Sequence, residues 1–186
     1  MPAPIDENTI LEAALSVWRE HGFRNATTRK VAERAGIGEV TLFRRFSDKS
    51  ALFGAALATQ ADAFSAVAKE YTGDLVADLS NIVDAYAQLL ETNGAIVLDF
   101  LIEARRNEHL KAIAPIPMAA IMQVAAVVQR YQSDGKLRTT DPFGLVLSLL
   151  GPLIVRHAVA QAQPMISARQ PTEDYVEMWL AGHQAS

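Results

Sequence analysis

The chain has 186 residues, half of them hydrophobic, a formal net charge of −4 and no cysteine. That composition excludes a wholly disordered protein, leaves enough apolar material for one large domain or a small domain beside a bigger one, and rules out disulfides, thiol redox chemistry and cysteine-rich zinc sites. The opening MPAPIDENTI lacks the basic region and apolar run of a signal peptide, and apolar runs such as Leu145 to Val155, interrupted by Gly151 and Pro152, fall short of the roughly 20 residues that span a bilayer. A cytoplasmic protein is expected.

Asp6 is placed to cap a first helix running to Glu20 or His21 and ending at Gly22, with Ile10, Leu11, Ala14, Leu15 and Trp18 on one buried stripe. Phe23 packs where the chain turns. Then comes TTRKVAERAGIGEVTLFRRF, from Thr27 to Phe46. Val31, Ala32 and Ala35 follow helical spacing, Gly36 interrupts, and Val40, Leu42, Phe43 and Phe46 resume it, which predicts a helix, a tight turn and a second helix. Thr27 caps the first of these and Gly38 the second.

Ser47 or Asp48 opens a longer, largely apolar helix with Lys49 in its first turn, ended at Gly73. A helix over 75–92, closed by Asn93-Gly94, and another over 95–107, apolar nearly all round and therefore internal, come next. The two prolines of EHLKAIAPIP predict a kink or loop. Met118 to Gln132 is helical again up to Ser133-Asp134-Gly135, and Asp141-Pro142 starts a helix toward Ala162 with a kink at Gly151-Pro152. After a loop over 163–171, a last helix from Thr172 to Ala181 carries Tyr175, Val176, Trp179 and Leu180 on one stripe.

No histidine has a glutamate three residues before it, and neither HExxH nor a nucleophile elbow occurs, so an enzyme is not expected, nor a cofactor or metal site. His157, alone on an apolar helix, reads as a core or interface residue. Charge is unevenly spread. Arg24, Arg29, Lys30, Arg34, Arg44, Arg45 and Lys49 face only Glu33, Glu39 and Asp48, whereas 55–186 carries 9 basic and 14 acidic residues. A confined basic patch on an acidic protein points to a polyanion partner. In the helix from Glu39 to Phe46, Leu42 and Phe46 should face inward, leaving Glu39, Val40, Thr41, Phe43, Arg44 and Arg45 outward.

The runs TTRKVAERAG, IGEVTLFRRF, SDK and SALF, with TILEAALSVWREHGF before them, closely resemble the DNA-binding domain of the tetracycline-repressor (TetR) family over about residues 6–57. The resemblance implies an all-α protein: an N-terminal three-helix helix-turn-helix DNA-binding domain over 1–50 and a helical effector-binding and dimerisation bundle over 51–186. It implies Thr28 and Arg29 as contacts at the start of the first motif helix, Glu39 and Val40 facing bases, and Thr41 and Lys49 as phosphate anchors. A cytosine amino group suits Glu39 and a thymine methyl suits Val40. Four positions depart from the common pattern: Phe43 for tyrosine, Arg45 for histidine or another aromatic, Gly38 for a serine cap and Val40 for glycine.

The family further implies a homodimer through the last two helices, a palindromic double-stranded operator, repression, and release by a small-molecule effector. Pocket candidates are Phe64, Tyr86, Leu90, Phe100, Glu103, Met118, Ile121, Met122, Phe143 and Leu147, a lining suited to a hydrophobic or amphipathic molecule. Glu103 has Arg106 as an alternative ion-pair partner at i, i+3. The competing reading is a helical protein-interaction module with a vestigial DNA domain.

Overall fold

A computed structural model describes residues 6–163 and 171–185, which form nine helices. In chain order they are α1 (Glu7–Asn25), α2 (Thr28–Ala35), α3 (Glu39–Arg45), α4 (Lys49–Ala68), α5 (Leu75–Glu103), α6 (Glu108–Ile113), α7 (Pro115–Ser133), α8 (Pro142–Ala162) and α9 (Thr172–Ala181). The protein is all-helical, with a helix-turn-helix near its N-terminus and a helical C-terminal portion.

Local chemistry sets most of the boundaries. Asp6 caps α1, the Thr27 hydroxyl accepts from the Lys30 amide at 3.3 Å to start α2, and Asp141 accepts from the Gly144 amide at 2.8 Å to start α8. Of the two expected caps for α4, Asp48 takes the role, accepting from the Ala51 amide at 2.9 Å. Gly36 closes α2 in the left-handed region at φ 68°, where a side chain would be strained.

Several expectations change. Gly22 does not end α1; it breaks the helix at φ 70°, and a further turn follows to Asn25. The helices expected over 75–92 and 95–107 are one element, α5, with non-helical backbone at Asn93. The proline-rich stretch expected as a loop is α6 followed directly by α7. Pro115 and Pro117 sit in the first turn of α7, where amides have no intrahelical acceptor to lose. The loop expected over 163–171 lies largely outside the described residues. Three stretches, Lys49–Ala68, Glu108–Ser133 and Pro142–Ala162, are long and apolar enough to cross a membrane by length and composition. The expectation of short runs fails because the helices continue through their interrupting glycines and prolines.

The chain divides into two compact units: residues through Gln60 with Ala95–Pro117, and Ala61–Gly94 with the chain from Met118 onward. The first is built on Trp18, Phe23 and Phe53, whose rings meet edge to face with centroids 4.7, 5.6 and 5.4 Å apart. Ile10, Leu15, Val31, Leu42, Leu52, Ile96 and Leu110 complete its core. Within the second, the Tyr175 hydroxyl donates to the Leu149 carbonyl and the Trp179 indole donates to Ser148 Oγ at 3.0 Å, tying α9 to α8. Beside the Asn93 break, the His157 imidazole lies against the Gly94 backbone, so that a β-carbon at 94 would sit 2.1 Å from His157 Nε2.

Asp78 is the buried carboxylate of the second unit, 3% exposed. It accepts from the Thr72 amide at 2.8 Å, the Thr72 hydroxyl at 2.7 Å and the Tyr131 hydroxyl. Burial alone would raise its pKa, but these donors outweigh burial and hold it below the ordinary aspartate value. Replacing Asp78 with alanine leaves buried donors unsatisfied and is expected to cost about 3 kcal/mol at neutral pH. A carboxyl depressed in the folded state contributes its stability above its unfolded pKa and loses it as pH falls through the folded value. The gap between wild type and Asp78→Ala should therefore narrow below about pH 4. Urea melts at neutral and acidic pH check this; a gap independent of pH would contradict the role given to the charge.

Candidate nucleic-acid interface

A seven-residue helix such as α3 is too short to hold itself in water, so its geometry comes from what it packs on. Leu42 is 1% exposed and Phe46 8%, both in the core of the first unit, as their spacing predicts. The Ile37 amide bonds back to the Ala32 carbonyl at 3.0 Å and closes the turn between α2 and α3. With one face pinned, the other is turned out: Glu39, Val40, Phe43, Arg44 and Arg45 are all exposed, Val40 at 85% and Phe43 at 48%, and Thr41 is half-buried.

The structure sorts the basic residues, which composition alone counted together. Arg29 pairs with Glu33 at 3.0 Å and Arg24 with Glu103 at 3.3 Å. Arg34 bonds Ser16 Oγ at 2.5 Å and pairs with Glu20, whose carboxyl is held below its usual range by that guanidinium. Lys30 donates to the Asn25 carbonyl at 3.2 Å. Among the described residues Arg44 and Arg45 have no intramolecular partner, so the unneutralised positive charge lies at the C-terminal end of α3.

Thr28 and Glu39, expected as separate contacts, are joined by a hydrogen bond from the Thr28 hydroxyl to Glu39 Oε1 at 3.0 Å, which orients the first residue of α3. Lys49 is half-buried. Its ammonium donates to the Phe23 carbonyl at 2.6 Å and lies 4.1 Å from the centre of the Phe23 ring and 5.7 Å from that of Phe53. Burial lowers its pKa, opposed by the negative charge of Asp99.

Asp99 was not singled out by sequence reasoning. Its Oδ2 accepts from the Trp18 indole at 2.8 Å and from the Phe23 amide at 2.5 Å. The available signal was a carboxylate in the middle of the apolar run IVLDFLI, which has to find donors wherever that run is packed.

The ten effector candidates are divided between the two units. Phe64, Tyr86 and Leu90 are buried in the second unit, with the Phe64 and Tyr86 rings 5.6 Å apart. Ile121 and Phe143 are half-buried there, while Met118, Met122 and Leu147 are 49%, 51% and 53% exposed. Phe100 and Glu103 belong to the first unit, and Glu103 is paired with Arg24 instead of Arg106. An open concavity of about 740 Å³, lined by Gly73, Asp74, Leu75, Val76, Lys136, Gln184 and Ala185, contains none of the ten. No metal-binding cluster of acidic or histidine side chains occurs among the described residues.

The profile of the family described as "Bacterial regulatory proteins, tetR family" matches residues 10–56. The chain is 33% identical over 131 residues to the uncharacterized HTH-type transcriptional regulator YvkB of Bacillus subtilis (strain 168), spanning 70% of this chain and 69% of that protein. In fold it is similar to the fatty acid degradation regulator FadR from Bacillus halodurans, with a TM-score of 0.80, 16% identity and coverage of 95% of this chain and 99% of the other. It is also similar to SmeT, the repressor of the Stenotrophomonas maltophilia multidrug efflux pump SmeDEF, with a TM-score of 0.70, 20% identity and coverage of 97% and 91%.

The two faces of α3 should respond oppositely to truncation. Leu42→Ala, in the core, is expected to cost about 2–5 kcal/mol of folding free energy. Arg44→Ala, which breaks no internal contact, should stay within about 0.5 kcal/mol of wild type. Denaturant melts of both variants decide it, and a destabilised Arg44→Ala would mean that the side chain is engaged within the fold.

Proposed function

The chain belongs to the TetR family of bacterial regulatory proteins, and on that premise we propose that it is a homodimeric repressor of a palindromic operator, relieved by an apolar or amphipathic small molecule. It is a DNA-binding transcriptional regulator and not an enzyme. The observation that carries the DNA reading is the outward face of α3, where Arg44 and Arg45 stand unpaired beside exposed Val40 and Phe43. Two arginines can form charge-assisted bonds to phosphate or a guanine edge, and an apolar tip suits a thymine methyl. Glu39 and Thr41 border the same face. Such a protein acts in the cytoplasm, where the chromosome is.

Support for dimerisation comes from α8. Leu147, Val155 and Val159 are 53%, 64% and 40% exposed and share one stripe with Gly151, and on α9 Met178 is 64% exposed. Only 28% of the most apolar window of α8 is buried within the chain. A second copy across a two-fold axis would cover that stripe, with a glycine permitting close approach. Two recognition helices related by the axis would then meet half-sites about 34–36 Å apart.

For the effector, the buried part of the second unit offers Phe64, Leu90 and Tyr86. Burial pushes the Tyr86 phenol up to about 12, so it stays a neutral donor across the physiological range. An apolar molecule with one acceptor suits that lining. To release the operator, it must bind one arrangement of the dimer better than the other, by roughly 5.5 kcal/mol for a complete switch.

Selection of bound duplexes from a randomised DNA pool at physiological salt tests the reading. A two-fold-symmetric motif with steep salt dependence is the expected result. No motif from a folded dimer would favour an interaction module instead. Arg44→Ala should weaken binding to the recovered duplex by about 1–3 kcal/mol, measured by titration; full affinity would remove that arginine from the contact set. Val155→Glu should elute as a monomer in size-exclusion chromatography, and a persistent dimer would place the interface elsewhere.

A further inference from the structure

Phe23 is held by its backbone from both sides. Its amide donates to Asp99 Oδ2 at 2.5 Å, and its carbonyl accepts from the Lys49 ammonium at 2.6 Å. Gly22, at φ 70°, breaks the α-helical path immediately before this amide, and Asp99 Oδ2 lies 3.8 Å from where a Gly22 β-carbon would be. The same oxygen takes the Trp18 indole proton at 2.8 Å. The Phe23 ring, fully buried, packs against Trp18 and Phe53 while the ammonium lies over it at 4.1 Å. A carboxylate on α5, one residue of α1 and a cation at the start of α4 thus form a single line of contacts.

We propose that Asp99 is a positioning residue for DNA binding: by fixing Phe23 it fixes the Lys49 ammonium that engages a phosphate. The proposal rests on the reading of Lys49 as a phosphate anchor. A lysine is a point charge on a flexible four-carbon stem, and holding it still costs rotamer entropy. Here the stem is ordered in advance, with one donor spent on the Phe23 carbonyl and others left for a phosphate oxygen. Asp99 also places a negative charge where burial would otherwise favour loss of the ammonium proton. A neutral amide at 99 keeps the shape and loses that charge. Because both donors share Oδ2, the carbonyl oxygen of that amide can still accept from the indole and the Phe23 amide, so Asp99→Asn removes the charge alone, whereas Asp99→Leu removes charge and acceptor together.

The test uses the full-length protein and duplexes recovered by selection, with log affinity followed against log salt for wild type, Lys49→Met, Asp99→Leu and the double variant. Lys49→Met should flatten the slope by about one unit. Asp99→Leu should weaken binding by about tenfold and flatten the slope similarly, and the double variant should be no flatter than Lys49→Met alone. If Lys49→Met leaves the slope unchanged, the phosphate reading fails and the proposal with it. If Lys49→Met flattens the slope and Asp99→Leu, still folded, does not, Asp99 is only a packing anchor and the proposal alone is overturned.

Should Asp99→Leu not fold, the wild-type protein supplies the readout. Its two tryptophans give two indole proton resonances, and Trp18, 1% exposed, has no route to direct contact with DNA. On saturation with duplex the Trp18 indole resonance, assigned through Trp18→Phe, should shift. An unmoved resonance would overturn the proposal.

Discussion

A backbone amide turned into an apolar core needs an acceptor, and the break at Gly22 creates such an amide at Phe23. Asp99 meets that need, and much of the first unit follows from it. With the amide satisfied, the Phe23 ring can lie fully buried between Trp18 and Phe53, and the last turn of α1 can depart toward α2. A carboxylate taken from water is costly unless its lone pairs are used. The indole and the amide use them here, and the nearby ammonium of Lys49 balances the charge. Remove the carboxylate and both donors, together with the cation, lose their compensation at once.

The helix-turn-helix depends on this arrangement because α3 has little stability of its own. Its apolar residues Leu42 and Phe46 are moored in the core that Phe23 helps to fill, and the Thr28 hydroxyl steadies Glu39 at its start. Rigidity is therefore borrowed from packing, while charge is left unspent. Most of the basic side chains around the motif are consumed in holding helices together. Arg44 and Arg45 are not, so the positive potential is concentrated on the outward face instead of being spread over the whole domain.

The sequence made local features legible because their causes are local. Asp6, Thr27 and Asp141 cap helices through bonds to amides two or three residues on, and helical spacing correctly placed Trp18, Leu42 and Phe46 inside. Pairings between distant positions were not legible. Nothing in spacing says that Arg34 meets Glu20 and Ser16, that Glu103 prefers Arg24 to Arg106, or that Asp99 meets Trp18. Proline was misread for a related reason: at 115 and 117 it starts a helix as naturally as it would break one, and only the position of the neighbouring turn decides. The methionines at 118 and 122 are apolar but largely exposed. Apolar character alone does not say how far a side chain is exposed.

The close approach of His157 to Gly94 also bears on how the protein can change over evolutionary time. Since a β-carbon at 94 would fall 2.1 Å from the imidazole nitrogen, any residue other than glycine there requires the His157 side chain to move aside or be replaced. The reverse does not hold: a smaller residue at 157 leaves glycine at 94 undisturbed apart from a gap. The two positions are thus epistatic with a preferred order: 94 grows freely once 157 has shrunk, whereas in the opposite order the imidazole has to give up its place against the backbone.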